Sequence, residues 1–590
     1  MIAYQKLKDT HTTAYQKLNK NYNLISVIRV VTVLVLFYLL YQSFTSDNKL
    51  FILFSVLTFV IFVFLMKVHD KIAWNRKIEK QLIAINNDEI IFLKKEKIPF
   101  ENGLEYVDFK HFYAFDLDFF GNNSLFQNLN RTATFIGSKR LSNLLLTKLK
   151  NDEIVANQKA VSELSKKIEW RQYLLSLAKI TKDNQDSYQK LINWSEGKQE
   201  TIPKTLNVLF YLTPIAFVGS IITYFLTDNY FLIMIAITIF LINLLLALTQ
   251  LRKIKNELID SDKIATIVKQ YGLIIEKIEN EKFESEKLNQ LQKHLICKSE
   301  LASKQIKNLA GLFSNMQTIE NGLGAILFNG AFLYHIHTLN SLLHWKATYA
   351  NEIKEWLDII GEFETLNSLA NFSYNNPTFV YPTLNENHYI ELEALGHPLI
   401  AQEKRVCNDI TFNETNFVIL TGSNMSGKST FLRTLGINMV LAGIGAPICA
   451  TKANINPLNV IVSMRQSDSL NDSESYFFAE VKRLKKIIDK LEEEVCFVLL
   501  DEILKGTNSD DKQSGTIAVI KKMISKKAIG AIATHDLEVC QTTDEYPNQL
   551  SNKCFEVEII NNDLNFDYKL REGICKNKSA TFLMTKMEII

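Results

Sequence analysis

The chain lacks the cysteine pattern of a stapled or metal-bound protein. Its seven cysteines (Cys297, Cys407, Cys449, Cys496, Cys540, Cys554 and Cys575) are scattered over 590 residues without a C-x-x-C pair or zinc spacing. That argues against a disulfide framework or a cysteine metal site and leaves ordinary thiols of a reducing compartment. An excess of one charge is missing too, since 66 Lys and Arg against 64 Asp and Glu leave a net charge of +2. The balance speaks against a strongly basic nucleic-acid protein, although not against a local basic patch. A third absence lies in the longest apolar runs, whose centres carry no Asp, Glu or Lys. Ionisable groups inside a membrane mark ion or substrate paths, so these runs read as anchors rather than conduits.

The first run, 23–44, has the length of a bilayer-spanning helix, with Arg29 near its start where the side chain can snorkel. It is too long for a signal peptide and has no small-residue cleavage site. A second run, 50–68, follows a short polar loop with Asp47 and Asn48, and 206–226 and 230–251 repeat the arrangement around Thr227, Asp228 and Asn229. Pro214 and Gly219 in the third run are tolerable in a membrane helix. A core hairpin of a soluble protein is the competing reading, and the lengths favour two membrane hairpins. Lys6, Lys8, Lys17 and Lys20 precede the first pair, and Lys67, Lys71, Arg76 and Lys77 follow it. Lys198 and Lys204 precede the second pair, and Arg252, Lys253 and Lys255 follow it. Positive flanks stay inside, which puts both termini and every large segment on the cytoplasmic side of the cell (inner) membrane. The string AYQKL at Ala3 and again at Ala14 reads as two turns of surface helix.

The chain then divides into a cytoplasmic segment 1–22, hairpin 23–69, a helical core part 70–204, hairpin 205–251, a helical lever and core part 252–385, and 386–590. Residues 253–307 are charge-rich and amphipathic, a solvated helix face or a coiled-coil arm. After about residue 389 short strands, turns and a βα alternation predict a parallel-sheet domain.

That last part carries the chemistry. An apolar strand-type run, 417–420, leads into TGSNMSGKST at 421–430 and then into a helical pattern from Phe431. This is the G-x-x-x-x-G-K-[ST] loop, in which glycines let backbone N–H groups curl around phosphate oxygens at a helix N-terminus. Gly422, Ser423, Asn424, Met425, Ser426, Gly427, Lys428, Ser429 and Thr430 are therefore the candidate ATP-binding set. Lys428 is expected on the β- and γ-phosphates and Ser429 on Mg²⁺. Downstream, CFVLL at 496–500 ends in Asp501 and Glu502. Asp501 is the second candidate Mg²⁺ holder, and Glu502 the general base that polarises the attacking water. A further strand-type run ends in Thr534 and His535, placing an imidazole at the same sheet edge to sense the γ-phosphate. Between these motifs, SESYFFAE at 473–480 lies where related ATPases place a loop that completes a partner subunit's site.

TGSNMSGKSTFLRT, SYFFAE, LLDEILKGTNSDD and ATHDL, in this order, resemble the ATPase domain of the MutS family of DNA mismatch-repair proteins. The resemblance continues in Gly396, His397 and Pro398 with Asn408 and Asp409, a lead-in that packs near the adenine in relatives and adds His397 and Asn408 to the nucleotide set. It extends to the strings at 555–557 and 564–570, and more weakly to 116–137, 157–158 and 160–161, which resemble the start of the family's helical core. It implies a homodimer in the style of ABC ATPases, with Ser475 of one subunit completing in trans the site built on Lys428 of the other. Residues 506–511 would lie along the dimer interface, and core and lever helices would turn the ATP state into movement of a clamp, with DNA as a partner. The departures are specific. Fewer than 120 residues precede the core-like part, so the family's mismatch-reading domain and its Phe-x-Glu wedge are not expected, and Phe412-Asn413-Glu414 reads as structural. No C-terminal nuclease domain is recognisable. Ser423 stands where the family usually has proline, Leu504-Lys505 replaces a usual Gly-Arg pair, and the second hairpin interrupts the helical core. The expected fold is multidomain α and α/β: four transmembrane helices in two hairpins, a helical MutS-like core and lever, and a C-terminal ABC-like P-loop ATPase domain. The expected function is a membrane-anchored dimeric ATP hydrolase moving a helical clamp, with an ABC-style membrane transport or remodelling ATPase as the alternative.

Overall fold

The computed structural model describes residues 1–590 except 47, 49, 182, 199, 258–260, 413–416, 466–475, 561–562, 576–583, 585–588 and 590. Helices α1 (Ile2–Thr45) and α2 (Leu50–Leu93) have 44 residues each, about 66 Å of helix. Neither contains Gly or Pro, so nothing breaks the turn where apolar sequence gives way to polar. Residues 2–22 continue α1 as the expected surface helix turns, except that Tyr4 is fully buried. The two helices run antiparallel, tied by Lys8 to Asn87 at 2.9 Å, His11 to Glu79 at 2.8 Å and Arg76 to Asn19 at 2.9 Å.

Five shorter helices follow: α3 (Leu125–Leu129), α4 (Phe135–Leu145), α5 (Asn151–Lys166), α6 (Ile168–Thr181) and α7 (Gln185–Glu196). Side chains start three of them, since Ser124, Thr134 and Asn184 accept N–H bonds from the first turns of α3, α4 and α7. The second long hairpin is α8 (Lys204–Thr227) and α9 (Tyr230–Glu257). α1, α2, α8 and α9 are all long and apolar enough to cross a membrane, and no more than 17% of each apolar window is buried inside the protein.

The chain returns through α10 (Ser261–Glu279), α11 (Glu286–Lys293), the two-residue strands β1 (Ile296–Cys297) and β2 (Glu300–Leu301), α12 (Ala302–Gln317), α13 (Gly322–Phe332), α14 (Tyr334–Tyr349) and α15 (Ile353–Asn375). α15 is the axis of this helical half: every residue from Ile359 to Phe372 is buried. Its C-terminal end meets α2 and the start of α1 in a polar node. Both carboxylate oxygens of Glu89 accept bonds, from the Arg131 guanidinium and from the Asn371 and Asn375 amides at 3.0 and 3.1 Å. The Tyr4 hydroxyl donates to Asn375 at 2.8 Å.

The remainder is α/β. β3 (Thr383–Leu384), β4 (Ile390–Leu395) and β5 (Asn408–Phe412) belong, with β7 (Lys452–Ile455), to a four-stranded sheet in the order β3-β7-β4-β5. β6 (Phe417–Gly422) leads into α16 (Lys428–Gly443); β8 (Asn459–Ser463), α17 (Tyr476–Glu493), β9 (Cys496–Asp501), α18 (Ser509–Ser525), β10 (Ile529–Ala533), α19 (Thr542–Glu545) and β11 (Leu550–Phe555) follow. A hairpin of β12 (Glu558–Ile560) and β13 (Asp563–Asn565) precedes the edge strand β14 (Leu570–Glu572). The six-stranded sheet runs β14-β11-β6-β10-β9-β8, parallel except at β14. β6, β9 and β10 are buried on both faces over most of their length, as continuous apolar runs in a parallel sheet should be.

Residues 111–118 join the two halves. Asp116 accepts the Met464 and Arg465 N–H groups at 2.8 Å, Arg483 donates to Phe112 O and Val462 O at 2.9 Å, and Asp118 pairs with Arg433 of α16 at 2.9 Å. α16 and the strands beside it are thus tied to residues 111–118 through a short polar clamp.

Candidate functional site

Register sets this site. Ala533 of β10 lies opposite both Leu420 of β6 and Asp501 of β9, so the three strands end flush at one carboxyl edge. Whatever follows each strand is delivered to the same place: the Gly422–Ser429 loop, Glu502, and Thr534 with His535. Ligand crevices of parallel sheets open at this edge.

The loop after β6 needs its glycines. Gly427, at φ 106°, caps α16, and a Cβ there would come 3.0 Å from the Tyr568 ring. Gly422, at φ 153°, would place a Cβ 2.6 Å from Ser426 Oγ and 2.9 Å from Phe555 O. Lys428 turns back over the loop, donating to Gly422 O at 2.8 Å and Ser423 O at 3.0 Å. Burial pushes its ammonium below the usual lysine range, against the opposing pull of Glu502 and Asp501. Met425 is 76% exposed, and Asn424, Ser429 and Thr430 are exposed beside it.

Behind the loop stand the acids. Burial raises the Asp501 carboxyl above its ordinary value, opposed by a hydrogen bond from Ser429. Asp501 Oδ1, Ser423 Oγ and Ser426 Oγ are buried without a partner among the described residues. Glu502 adopts a left-handed φ of 44°, a strained backbone for a non-glycine residue, held by its N–H bond to Ala533 O at 3.0 Å. His535 Nε2 lies 2.8 Å from Glu502 Oε1, and Lys505 Nζ lies 3.2 Å from Oε2. The His535 hydrogen bond, aided by Lys505, pulls the Glu502 carboxyl down to about 2. With its proton on Nε2, His535 donates to Glu502, and the 3.4 Å approach of Lys428 Nζ to the same nitrogen is proximity alone.

A cleft of about 420 Å³ opens in front of this edge, lined by loop residues 424–430, Glu502 and, on the far wall, His397, Asn408, Phe555 and Tyr568. That is within the range of small-molecule sites. His397 lines the wall as a neutral ring: burial, with Arg433 and Arg405 nearby, lowers its imidazole to about 4. Asn408 borders the cleft too, but its amide is spent on the wall itself, donating to Tyr568 O at 3.0 Å and accepting from Leu570 N–H at 2.9 Å. It is a positioning residue in this geometry. Ser475 lies outside the described residues.

Sequence reasoning did not assign Tyr568, Phe555 or Lys404 of the cleft lining, nor Lys505 beside Glu502, to the site. Tyr568 stands at φ 54°, stacked on Phe566 with ring centroids 6.0 Å apart. Its only sequence signal was membership in the strand-type string 564–570.

The residues present fit a magnesium-bound nucleoside triphosphate. The orphaned oxygens of Asp501, Ser423 and Ser426, the glycine cradle and a lysine satisfied only by carbonyls are what an anionic ligand with a cation would complete.

Comparison with known proteins bears on the same region. Residues 418–588 match the family model described as MutS domain V. The DNA mismatch repair protein MutS of Finegoldia magna is 32% identical over 232 residues, 38% of this chain and 27% of that protein. Its counterpart from Thermotoga petrophila is 31% identical over 37% of this chain and 28% of its own length. MutS protein homolog 4 of Homo sapiens is 31% identical over 31% of this chain and 20% of its own. The matched segment thus spans less than a third of each of these relatives. That part of the chain carries a MutS domain V and is similar to these MutS proteins over 31% to 38% of its length.

Proposed function

We propose that the chain is a membrane-anchored ATPase of MutS type that acts as a homodimer and couples the nucleotide state to movement of its helical half. The observation that carries this reading is the convergence of Lys428, Ser429, Asp501, Glu502 and His535 on one sheet edge, with Ser426 lining a nucleotide-sized cleft and buried oxygens of Ser423, Ser426 and Asp501 left without a partner among the described residues. Residues 422–430 would bind the triphosphate, Lys428 its terminal phosphates, and Ser429 with Asp501 the Mg²⁺. The cation supplies charge neutralisation across the phosphates. His397, Asn408 and Tyr568 would form the wall for the base.

Glu502 is the water-orienting residue in this reading, with His535 beside it. A carboxylate held near 2 is a weak base, so its bonds to His535 and Lys505 must loosen before it can engage water. The strained backbone at Glu502 and the clamp of Asp116 and Asp118 on the α16 side offer a path from that rearrangement to α15 and the long hairpins. Ser475 from a second copy is proposed to complete each site. Mixing Ser475→Ala with Lys428→Ala subunits is expected to restore turnover above either variant alone; no recovery would count against the composite site.

DNA is the proposed partner at the cytoplasmic face of the membrane, since the relatives are DNA mismatch repair proteins. The second reading, a membrane transport or remodelling ATPase, is favoured by the continuity of α1 and α2 from their apolar windows to the Glu89 node. ATP turnover of the full chain in nanodiscs, with and without duplex and branched DNA across a salt series, separates the two. DNA stimulation that fades steeply with salt is expected. Indifference to every DNA at every salt would favour the second reading.

A further inference from the structure

Helix α13 is an apolar element that the nucleotide site does not use. No charged residue occurs over 321–333. Its 11 residues give about 16 Å of helix, too short to cross a bilayer. An apolar helix of that length in a water-soluble core would be covered. Here Leu323 is 79% exposed, Leu327 63%, Phe328 52% and Ile326 51%. Side chains of that size in one contiguous patch mark an interaction surface rather than chance exposure.

The opposite face is fixed against the second hairpin. Gly330 sits so close to α9 that a Cβ would fall 2.2 Å from the Phe240 ring, and Asn243 of α9 donates to Gly330 O at 2.8 Å. Asn243 precedes Gln250, near the polar end of α9, by seven residues, about 10 Å along the helix. Immediately after α13, Leu333 and Ile336 are buried with Phe210 of α8 and Ala247 of α9. The exposed face of α13 therefore continues the exposed apolar surface of α9, where Ile237, Leu241, Leu245 and Leu248 also point outward.

We propose that α13 is embedded in the lipid hydrocarbon beside the second hairpin, with Leu323, Ile326, Leu327 and Phe328 against acyl chains. The proposal rests on the membrane reading of α8 and α9. A protein partner would be expected to meet a polar rim around such a patch; here exposed polar residues, Thr318 and Asn321, stand at the N-terminal end of α13, while along its length the surface runs into the apolar spans. One consequence is mechanical. The end of α12 and the start of α14 meet at this point, with Thr318 Oγ1 3.0 Å from His335 Nε2. The tip of the helical arm 302–349 is then held in the bilayer, and the arm pivots about that hold.

The test uses the full chain in phosphatidylcholine–phosphatidylglycerol vesicles, with the half-buried Cys297 and Cys407 changed to Ser and single spin labels introduced. Leu327→Cys and Leu323→Cys report on α13, Leu245→Cys on the span, and the exposed Lys304→Cys on water. Collision with oxygen against a water-soluble nickel chelate is read at each position. Oxygen-dominated collision at 327 and 323, as at 245 and opposite to 304, is expected. Nickel-dominated collision at 327 and 323 with an oxygen-dominated 245 overturns the α13 proposal alone. Nickel-dominated collision at all of them overturns the membrane reading together with it.

Discussion

Two acids buried beside cations, Glu89 in the helical half and Asp501 at the sheet edge, stand in opposite conditions. Glu89 is 3% exposed and both its oxygens are filled, by Arg131 and two asparagine amides. Arg131 is further fixed by Asn128 O and Asn130 O at 3.0 Å and lies over the Phe100 ring. One Arg171 nitrogen nearby, Nη2, lacks a partner among the described residues, but the acid itself is saturated. Asp501 keeps an orphaned oxygen beside a lysine that binds only carbonyls. Since buried polar groups are normally satisfied, a saturated acid marks a joint and an unsaturated one marks a place for a ligand. The first holds α2, α15 and the start of α1 together; the second awaits what the cleft brings.

Breaking the second condition should have the largest effect. Glu502→Gln keeps the size of the side chain but removes the charge that His535 and Lys505 engage. ATP turnover is expected to fall by about 10²–10⁴-fold while nucleotide binding persists. Single-turnover hydrolysis alongside binding of a fluorescent ATP analogue checks it. Turnover within a few-fold of the parent would remove Glu502 from its role and leave the orphaned oxygens unexplained as catalytic.

The two regions also differ in how far they could be read from the amino-acid string. At the sheet edge the chemistry sits in contiguous motifs whose placement is dictated by backbone: a strand, a glycine turn, a helix start. Lys428, Asp501, Glu502 and His535 need only a shared register to meet, and Ala533 opposite Leu420 and Asp501 provides it. Tyr568 arrives by tertiary folding, so no local pattern announces it, whereas Lys505 lies three residues after Glu502 and reaches it from within the same string. The helical half hides more. Tyr4 reaches Asn375 across 371 positions, and Glu89 reaches Asn371 across 282. Periodicity places helices over these stretches but cannot say that α1 and α2 run unbroken from apolar to polar sequence. α13 escaped because 11 apolar residues fall below any spanning length and pass for one more helix of an arm. Expectations about Ser475 lie outside the described residues.

Removing one partner from the saturated acid tests the other side of the contrast. Arg131→Ala would leave Glu89 buried with two amides and without its directly bonded cation, only Arg171 remaining nearby, at a cost of up to about 3–5 kcal/mol. The melting temperature in detergent should drop well below that of the parent. ATP affinity of the protein that remains folded should be unchanged, because Arg131 has no contact with the cleft. A lowered affinity at unchanged melting temperature would mean that the joint and the site are not separate devices.

The smallest effect expected is a pH dependence that belongs to the helical half and not to the site. Glu364, in the middle of α15, is wholly buried with the α4 start: it accepts from Ala133 N–H at 2.9 Å and bonds the Thr134 side chain. Burial raises its carboxyl to about 7, against the lowering pull of these hydrogen bonds. A carboxyl raised on folding contributes stability that is fully present below its unfolded value of 4.5 and is lost as pH rises through about 7. The full loss is roughly 3 kcal/mol at 1.36 kcal/mol per pH unit. Gln at this position reproduces the protonated acid, its oxygen accepting from Ala133 and its amide donating to Thr134. Melting temperature followed from pH 4.5 to pH 8 should therefore fall less in Glu364→Gln than in the parent, with the variant the more stable of the two at pH 8. Glu502 contributes with the opposite sign and in a different window: its depressed carboxyl adds stability above about 4.5 that is lost as pH falls toward 2. Parallel curves for the parent and Glu364→Gln between pH 4.5 and pH 8 would show that Glu364 is ionised in the folded protein, and that its Thr134 and Ala133 bonds outweigh its burial.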